Sequence, residues 1–125
     1  MNLVLPLPPL GNRYKQFDRK RGFYYRTKEA DQYRLRTGKY AIANGLWPTP
    51  DPVSVTVRIF RARRSGDIDG YLKVLLDVLQ GVAYVNDSQV VELHAFRGDD
   101  KADPRVEIEV SQVAAQAAEG SDGRK

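Results

Sequence analysis

The chain contains no cysteine among its 125 residues. This absence excludes disulfide bonds, zinc–thiolate centres and thiol nucleophiles. A chain without disulfides suits a reducing compartment, so we expect it in the cytoplasm.

Histidine and long apolar runs are almost as scarce. His94 is the single histidine, and we interpret it as a structural or surface residue on the polar side of a strand. A histidine-based nuclease would have to use it, which weighs against that class. No apolar run approaches the roughly 20 residues of a membrane helix. The first residues also lack the regions of a signal peptide, and we expect neither feature.

The remaining composition is that of a globular protein with a slight excess of positive charge. Hydrophobic residues make up 42% of the chain, and the net charge is +4. A length of 125 residues favours one domain. The positive charge permits an anionic partner without requiring one.

Hydrophobic periodicity predicts short strands around two helices. Thr27 is placed to cap a helix from Lys28 to about Asn44, and apolar spacing predicts a second helix that ends at Gly81. We interpret Trp47 as a core or dimer residue rather than a base-stacking one. Alternating apolar residues predict strands over 2–7, 53–60, 90–96 and 105–110, and a hairpin over 13–26.

Two carboxylates precede the second helix. If Asp67 and Asp69 lie in an extended segment, they point the same way, because side chains alternate between faces there. Asp69 also stands where a helix N-cap belongs. Lys73 and Asp77 follow at one-turn intervals, opposite the apolar stripe of Leu72, Leu75, Leu76 and Leu79.

A third carboxylate, Asp87, comes from the loop that follows this helix. Oxygen-rich sites of this type suit Mg²⁺ or Mn²⁺, which also take ligands from substrate phosphates. The segment 13–26 carries six basic residues interleaved with aromatic ones, and Arg63 and Arg64 directly precede the acidic pair. A basic surface beside such a site indicates nucleic acid as the partner.

These motifs resemble the RusA family of Holliday junction resolvases. The resemblance runs from about residue 3 to about residue 110, and its motifs occur in the order that the family has. Family members usually carry Asn where this chain has Gly70, and often Asp where it has Asn86. The residues that carry the resemblance are Leu5–Pro9, Asn12-Arg13-Tyr14, Asp67-Ile68-Asp69, Lys73, Asp77 and Asn86–Val90.

The resemblance implies an α+β fold, with a mixed β-sheet and two main helices in a single domain over residues 1–111. It also implies a homodimeric, Mg²⁺-dependent endonuclease of phage or prophage origin that acts on four-way DNA junctions. Asp67, Asp69 and Asp87 would then hold the metal, with Lys73 as a further catalytic residue. The residues that we expect to contact DNA are Arg13, Tyr14, Lys15, Arg63 and Arg64.

Simpler interpretations stay open at this point. Asp69 can be only a helix cap, and Lys73 and Asp77 only a surface ion pair. The chain would then be a non-catalytic, basic DNA-binding accessory protein. We interpret 98–104, with Asp99, Asp100 and Asp103, as a solvated hairpin loop rather than a site. Residues 112–125 are expected to be a disordered tail.

Overall fold

The structure is a computed structural model that describes residues 1–62 and 67–113. The order of elements confirms the predicted α+β fold, with a mixed sheet and two main helices. The helices are α1 (Lys28–Ala43) and α2 (Ile68–Leu79), and the strands are β1 (Asn2–Leu5), β2 (Lys15–Asp18), β3 (Phe23–Arg26), β4 (Val53–Arg61), β5 (Val90–Asp99) and β6 (Arg105–Gln112).

The main sheet has the strand order β1-β6-β4-β5. Strands β4 and β5 are parallel and are joined through α2, whereas β6 runs antiparallel to both β4 and β1. The prediction of a hairpin loop over 98–104 is wrong, because β5 and β6 lie on opposite sides of β4. The segment instead crosses the end of β4, where the Asp100 amide donates to the Arg61 carbonyl.

The core lies between one face of this sheet and the two helices. Val53, Val55, Val57 and Ile59 of β4 are each 0% exposed, as their alternation predicted. The fully buried stripe of α2 is Tyr71, Val74, Leu75, Val78 and Leu79, and the predicted Leu72 and Leu76 are only half-buried. The stripe is displaced because the valines and Tyr71 also supply apolar surface, which a pattern read from leucines alone leaves out.

Helix α1 begins where its sequence predicted. The Thr27 side chain accepts a hydrogen bond from the Ala30 amide, the usual way of satisfying a free N–H at a helix start. Ala30, Tyr33, Thr37 and Ala41 are its buried residues. The Tyr33 hydroxyl donates to the Pro6 carbonyl at 2.6 Å, which ties α1 to the end of β1.

Strands β2 and β3 form a separate two-stranded hairpin, as predicted. Its residues are exposed except for Asp18, and Phe17 packs edge-to-face against Tyr24 with the ring centroids 5.0 Å apart. At the turn, Gly22 adopts a φ of 76°, a left-handed conformation that suits glycine. The hairpin therefore stands out from the core with aromatic and basic side chains facing solvent.

No helix within the described ranges is both long and apolar enough to span a bilayer. Gln112, the first residue of the predicted tail, ends β6, and residues 114–125 lie outside the described part of the chain.

Candidate active site

The acidic pair lies at the start of α2. Asp67 is the N-cap, with extended backbone angles and no hydrogen bond from its side chain to the helix, and Asp69 lies in the first turn. The predictions that Asp69 is the cap and that the pair is extended are therefore wrong, because the helix already begins at Ile68. Carboxylates here are stabilised by the positive end of the helix dipole, and both side chains stay exposed.

A groove runs along α2 beside this pair. One wall is α2 itself, and the other is the base of the β2–β3 hairpin. Asp87, in the loop before β5, also lines the groove. The residues that line it are Gly11, Tyr14, Lys15, Arg26, Gly70, Lys73, Val74, Leu76, Asp77 and Asp87. The groove thus brings two of the predicted site residues, Lys73 and Asp87, together with the basic hairpin.

Lys73 is exposed and forms no ion pair with any residue that the structure describes. The surface pair with Asp77 is not formed, because Asp77 bonds Arg34 instead, at 2.9 Å between Arg34 Nη1 and Asp77 Oδ2. Lys73 therefore lines the groove without an ion pair to any residue that the structure describes.

Asp77 joins three elements on the floor of the groove. Its carboxylate accepts hydrogen bonds from the Tyr14 hydroxyl and from Arg34 of α1. Tyr14 is 5% exposed. Burial and then the bond to Asp77 raise the pKa of the Tyr14 phenol, while Arg34 acts in the opposite direction. This network fixes the base of the hairpin against both helices.

Gln89 holds the loop that carries Asp87. Its side-chain oxygen accepts from the Val85 and Asn86 amides at 2.9 and 2.7 Å, and its nitrogen donates to the Thr49 and Asp51 carbonyls at 2.7 and 2.8 Å. The Asp87 amide in turn donates to the Gln80 side chain at the end of α2, at 3.2 Å. The Asp87 backbone is therefore anchored, while its carboxylate stays exposed.

The three predicted metal ligands fit a hard divalent cation in their chemistry. Asp67, Asp69 and Asp87 are all exposed, and none of their carboxylates accepts a hydrogen bond from another described residue. Free carboxylate oxygens are the ligands that Mg²⁺ and Mn²⁺ take. Across residues 1–62 and 67–113, however, no three acidic or histidine side chains already lie together as a metal-binding group.

The residues predicted to contact DNA have different surroundings. Arg13 forms a two-pronged pair with Glu29, and Lys15 lies on the groove with its Nζ 5.5 Å from the Tyr24 ring centroid. Tyr14 is buried, so the structure gives it a positioning role in addition to any contact with DNA. Arg63 and Arg64 lie outside the described residues.

The sequence was compared with models of known protein families and with curated proteins. The family model for endodeoxyribonuclease RusA matches residues 6–111. The chain therefore belongs to the RusA endodeoxyribonuclease family. No curated protein matches it significantly. The matched range contains every predicted site residue.

Gly70 is one of the two positions, with Asn86, at which the sequence departs from the expected RusA-type motif. Gly70 is helical, and a Cβ atom built on it meets nothing within 4 Å. Neither backbone geometry nor space requires glycine, so the backbone can accept a larger side chain there without change.

Two other predicted features lie away from this groove. Asp99 pairs with Arg61, and Asp100 and Asp103 both pair with Arg105, which agrees with a structural role for this acidic cluster. Trp47 is 72% exposed, so the prediction of a core position is wrong, while a dimer contact stays a prediction.

Sequence reasoning missed the roles of Arg34, Gln80 and Gln89. The spacing Asn86-x-x-Gln89 is that of a capping box, and both of its hydrogen bonds are present, so this signal was available. Nothing local marks Arg34, because its partner Asp77 lies 43 residues away along the chain.

Proposed function

We propose that this RusA-family chain is a divalent-metal-dependent endonuclease that resolves Holliday junctions and related branched DNA by paired nicks. The observation that carries the proposal is the groove along α2. Its walls carry Lys73, which forms no ion pair with any described residue, and the exposed Asp87, opposite a basic hairpin, and Asp67 and Asp69 lie at the start of the same helix.

Asp67, Asp69 and Asp87 would hold Mg²⁺, and Mn²⁺ would substitute for it. When bound, such an ion lowers the pKa of a coordinated water and neutralises charge on a phosphate. The three carboxylates would hold this ion, and they would do so at the place where a phosphodiester is to be cut. Their exposure leaves the oxygens accessible to both cation and DNA.

Lys73 would stabilise negative charge that develops on the phosphate, because it lines the groove and forms no ion pair with any described residue. Lys15 and Arg26 are cross-strand neighbours at the base of the hairpin, on the opposite wall. They would hold the flanking backbone by phosphate contacts, which position DNA without reading its sequence.

A homodimer fits the substrate. A four-way junction has two-fold symmetry, and a two-fold dimer places one site on each of two opposed strands. Large exposed apolar side chains, among them Trp47 and Leu93, are suited to burial between two copies. Phage or prophage origin stays an expectation from the family.

The test is cleavage of a labelled four-way junction, with linear duplex of the same sequence as control. Paired nicks near the branch point with Mg²⁺ or Mn²⁺, and none after chelation, are the expected result. Tight junction binding without nicks at any divalent ion concentration would instead identify the non-catalytic accessory protein.

A further inference from the structure

The two faces of the β2–β3 hairpin differ in their chemistry. Cross-strand partners in an antiparallel pair lie on the same face, and the faces alternate along each strand. One face therefore carries two cations and two aromatic rings, which the register pairs as Lys15 with Arg26 and Phe17 with Tyr24. We call these four residues the aromatic–basic face. The other face consists of Gln16, Asp18, Phe23 and Tyr25.

The aromatic–basic face continues the groove along α2. Its two cations, Lys15 and Arg26, lie at the base of the hairpin and line that groove. Phe17 and Tyr24 are the next pair on this face, towards the turn. A nucleic-acid strand that leaves the groove along the hairpin would therefore pass two cations and then two aromatic rings.

The two rings are accessible to a partner. Phe17 and Tyr24 are 50% and 65% exposed, and their mutual contact is edge-to-face. The Tyr24 hydroxyl forms no hydrogen bond with any residue within the described ranges. On the other face, by contrast, the Tyr25 hydroxyl donates to Gln16 Oε1 at 2.8 Å. Clustered aromatic side chains that stay exposed in this way mark a surface that binds a partner.

The charge of the hairpin favours an anionic partner. Residues 15–26 contain five basic residues and one acidic residue, Asp18, which pairs with Arg21 at 3.7 Å. Arg26 pairs with Asp31 of α1, where both side chains stay exposed, and Lys15 forms no ion pair within the described residues. A second copy of this chain would bring the same positive charge to this face, so repulsion opposes self-association here. Nucleic acid supplies both matching groups, phosphates for the cations and bases for the rings.

We propose that the aromatic–basic face stacks unpaired bases at the branch point of a DNA junction, with Phe17 and Tyr24 as the platform and Lys15 on an adjoining phosphate. The proposal rests on the proposed function for the identity of the substrate. Bases inside a linear duplex are stacked on their neighbours, and extracting one costs least where its pairing is already disrupted. The face therefore favours branched over linear DNA. It reads no sequence, because every base has a π-face.

Photo-cross-linking of the wild-type chain tests the contact directly. The probe is a four-way junction with 5-iodouracil, a photoreactive base that cross-links to aromatic side chains stacked on it. One junction carries this base at the branch point, and a matched control carries it near the far end of an arm. A chelator keeps the DNA uncut. Mass spectrometry of the digested complex should find the cross-link at Phe17 or Tyr24, and only from the branch-point position.

A ring-deletion variant tests the energetic contribution of the face. Phe17→Leu combined with Tyr24→Leu removes both rings and keeps every charge. One base stacked on an aromatic ring contributes about 5- to 150-fold to affinity. Junction binding in chelator should therefore weaken by about fivefold or more, whereas binding to linear duplex, which depends on phosphate contacts, should change by less than about twofold.

The matched control removes two rings from the other face. Phe23→Leu combined with Tyr25→Leu should leave the affinity for both the junction and the linear duplex at the wild-type level. Urea unfolding of the two double variants checks that each keeps the stability of its fold. The cross-link on the wild-type chain decides the proposal even if a variant does not fold.

The outcomes separate this proposal from the proposed function. If the wild type cuts junctions with Mg²⁺ but neither ring cross-links to the branch point, the stacking face is wrong and the nuclease stands. Cross-links and ring-dependent junction binding without cleavage at any divalent ion concentration support the stacking face and overturn the nuclease. Equal weakening of junction and duplex binding by the ring-deletion variant overturns the preference for the branch point. A ring-deletion variant that changes mass in light scattering, with no cross-link in the wild type, shows that the rings contact a second copy instead.

Discussion

Replacing Lys73 with alanine distinguishes two possible roles of this residue, that of a catalytic lysine and that of a surface lysine without a role in cleavage. The side chain is exposed on the groove and has no ion pair within the described residues. Removing it therefore breaks no ion pair or hydrogen bond within the described residues. Lysine and alanine are both good helix formers. The free energy of unfolding should change by less than about 0.5 kcal/mol.

The expected loss of activity follows from the electrostatic energy that Lys73 can supply. An ammonium group about 4 Å from a phosphate charge contributes about 1 kcal/mol in bulk water and about 4 kcal/mol near a protein surface. An exposed lysine on the wall of a groove filled by DNA lies between these limits. A loss of about 2.7 kcal/mol from the transition state corresponds to a 10²-fold slower reaction.

Single-turnover cleavage of a four-way junction at saturating Mg²⁺ measures this effect, and urea unfolding of the same variant measures stability. The matched control is Lys39→Ala, which removes an equally exposed lysine from α1, away from the groove. Cleavage by the Lys73→Ala variant within a few-fold of wild type would refute the reasoning, since the carboxylates would then act without this charge.

Three further outcomes are expected. Asp67→Asn, Asp69→Asn and Asp87→Asn should each abolish cleavage and leave junction binding equal or tighter in a gel-shift assay, because each removes a ligand charge and a repulsion against phosphate. Gln89→Glu replaces the donor that faces two carbonyls with an acceptor, so urea unfolding should show a loss of about 1–3 kcal/mol; unchanged stability would contradict the anchoring role. Burial raises the pKa of the Tyr84 phenol in the folded state above its value in the unfolded chain. The neutral phenol therefore contributes fully to the free energy of unfolding below about pH 10, and this contribution falls above that pH as the unfolded chain ionises. Relative to wild type, Tyr84→Phe should reduce this alkaline loss in urea unfolding by up to about 1.4 kcal/mol per pH unit, and an identical slope would refute it.

The local elements were predictable because their signals are local. The alternation of β4 and the cap at Thr27 each require only neighbouring residues, and both predictions are confirmed. The left-handed Gly81, with a φ of 87°, also follows α2 where its sequence predicted. Such features depend on backbone geometry and burial, which a short window of sequence records.

The arrangement of the strands was not predictable in the same way. Two alternating segments separated by a polar loop, 90–96 and 105–110, have the pattern of a hairpin, yet β4 lies between them. Their pairing depends on which strand β4 prefers at each edge. That choice is set by burial in the complete sheet rather than by the loop.

The candidate site was likewise predictable only in its local features. The residue types at Asp67, Asp69, Lys73 and Asp87 indicated a divalent-metal site, because carboxylate oxygens are the ligands that Mg²⁺ takes, and this site stays a prediction. Which elements bring Lys73 and Asp87 to one groove became visible only with the fold. The ion pair between Asp77 and Arg34 was also not predictable, because it depends on how α1 packs against α2.

The position of β6 in the sheet determines when the main sheet can form during synthesis of the chain. Among the described residues β6 is the last strand in sequence, yet it lies between β1 and β4, with Val106 pairing to both Leu5 and Ile59. During synthesis, β1 and β4 therefore have no partner on these edges until residue 112 has emerged. Contacts this distant in sequence slow folding. A chain that stops before residue 105 would lose an interior strand of its sheet rather than an edge strand, so a frameshift shortly before this residue should prevent β1 from joining the sheet.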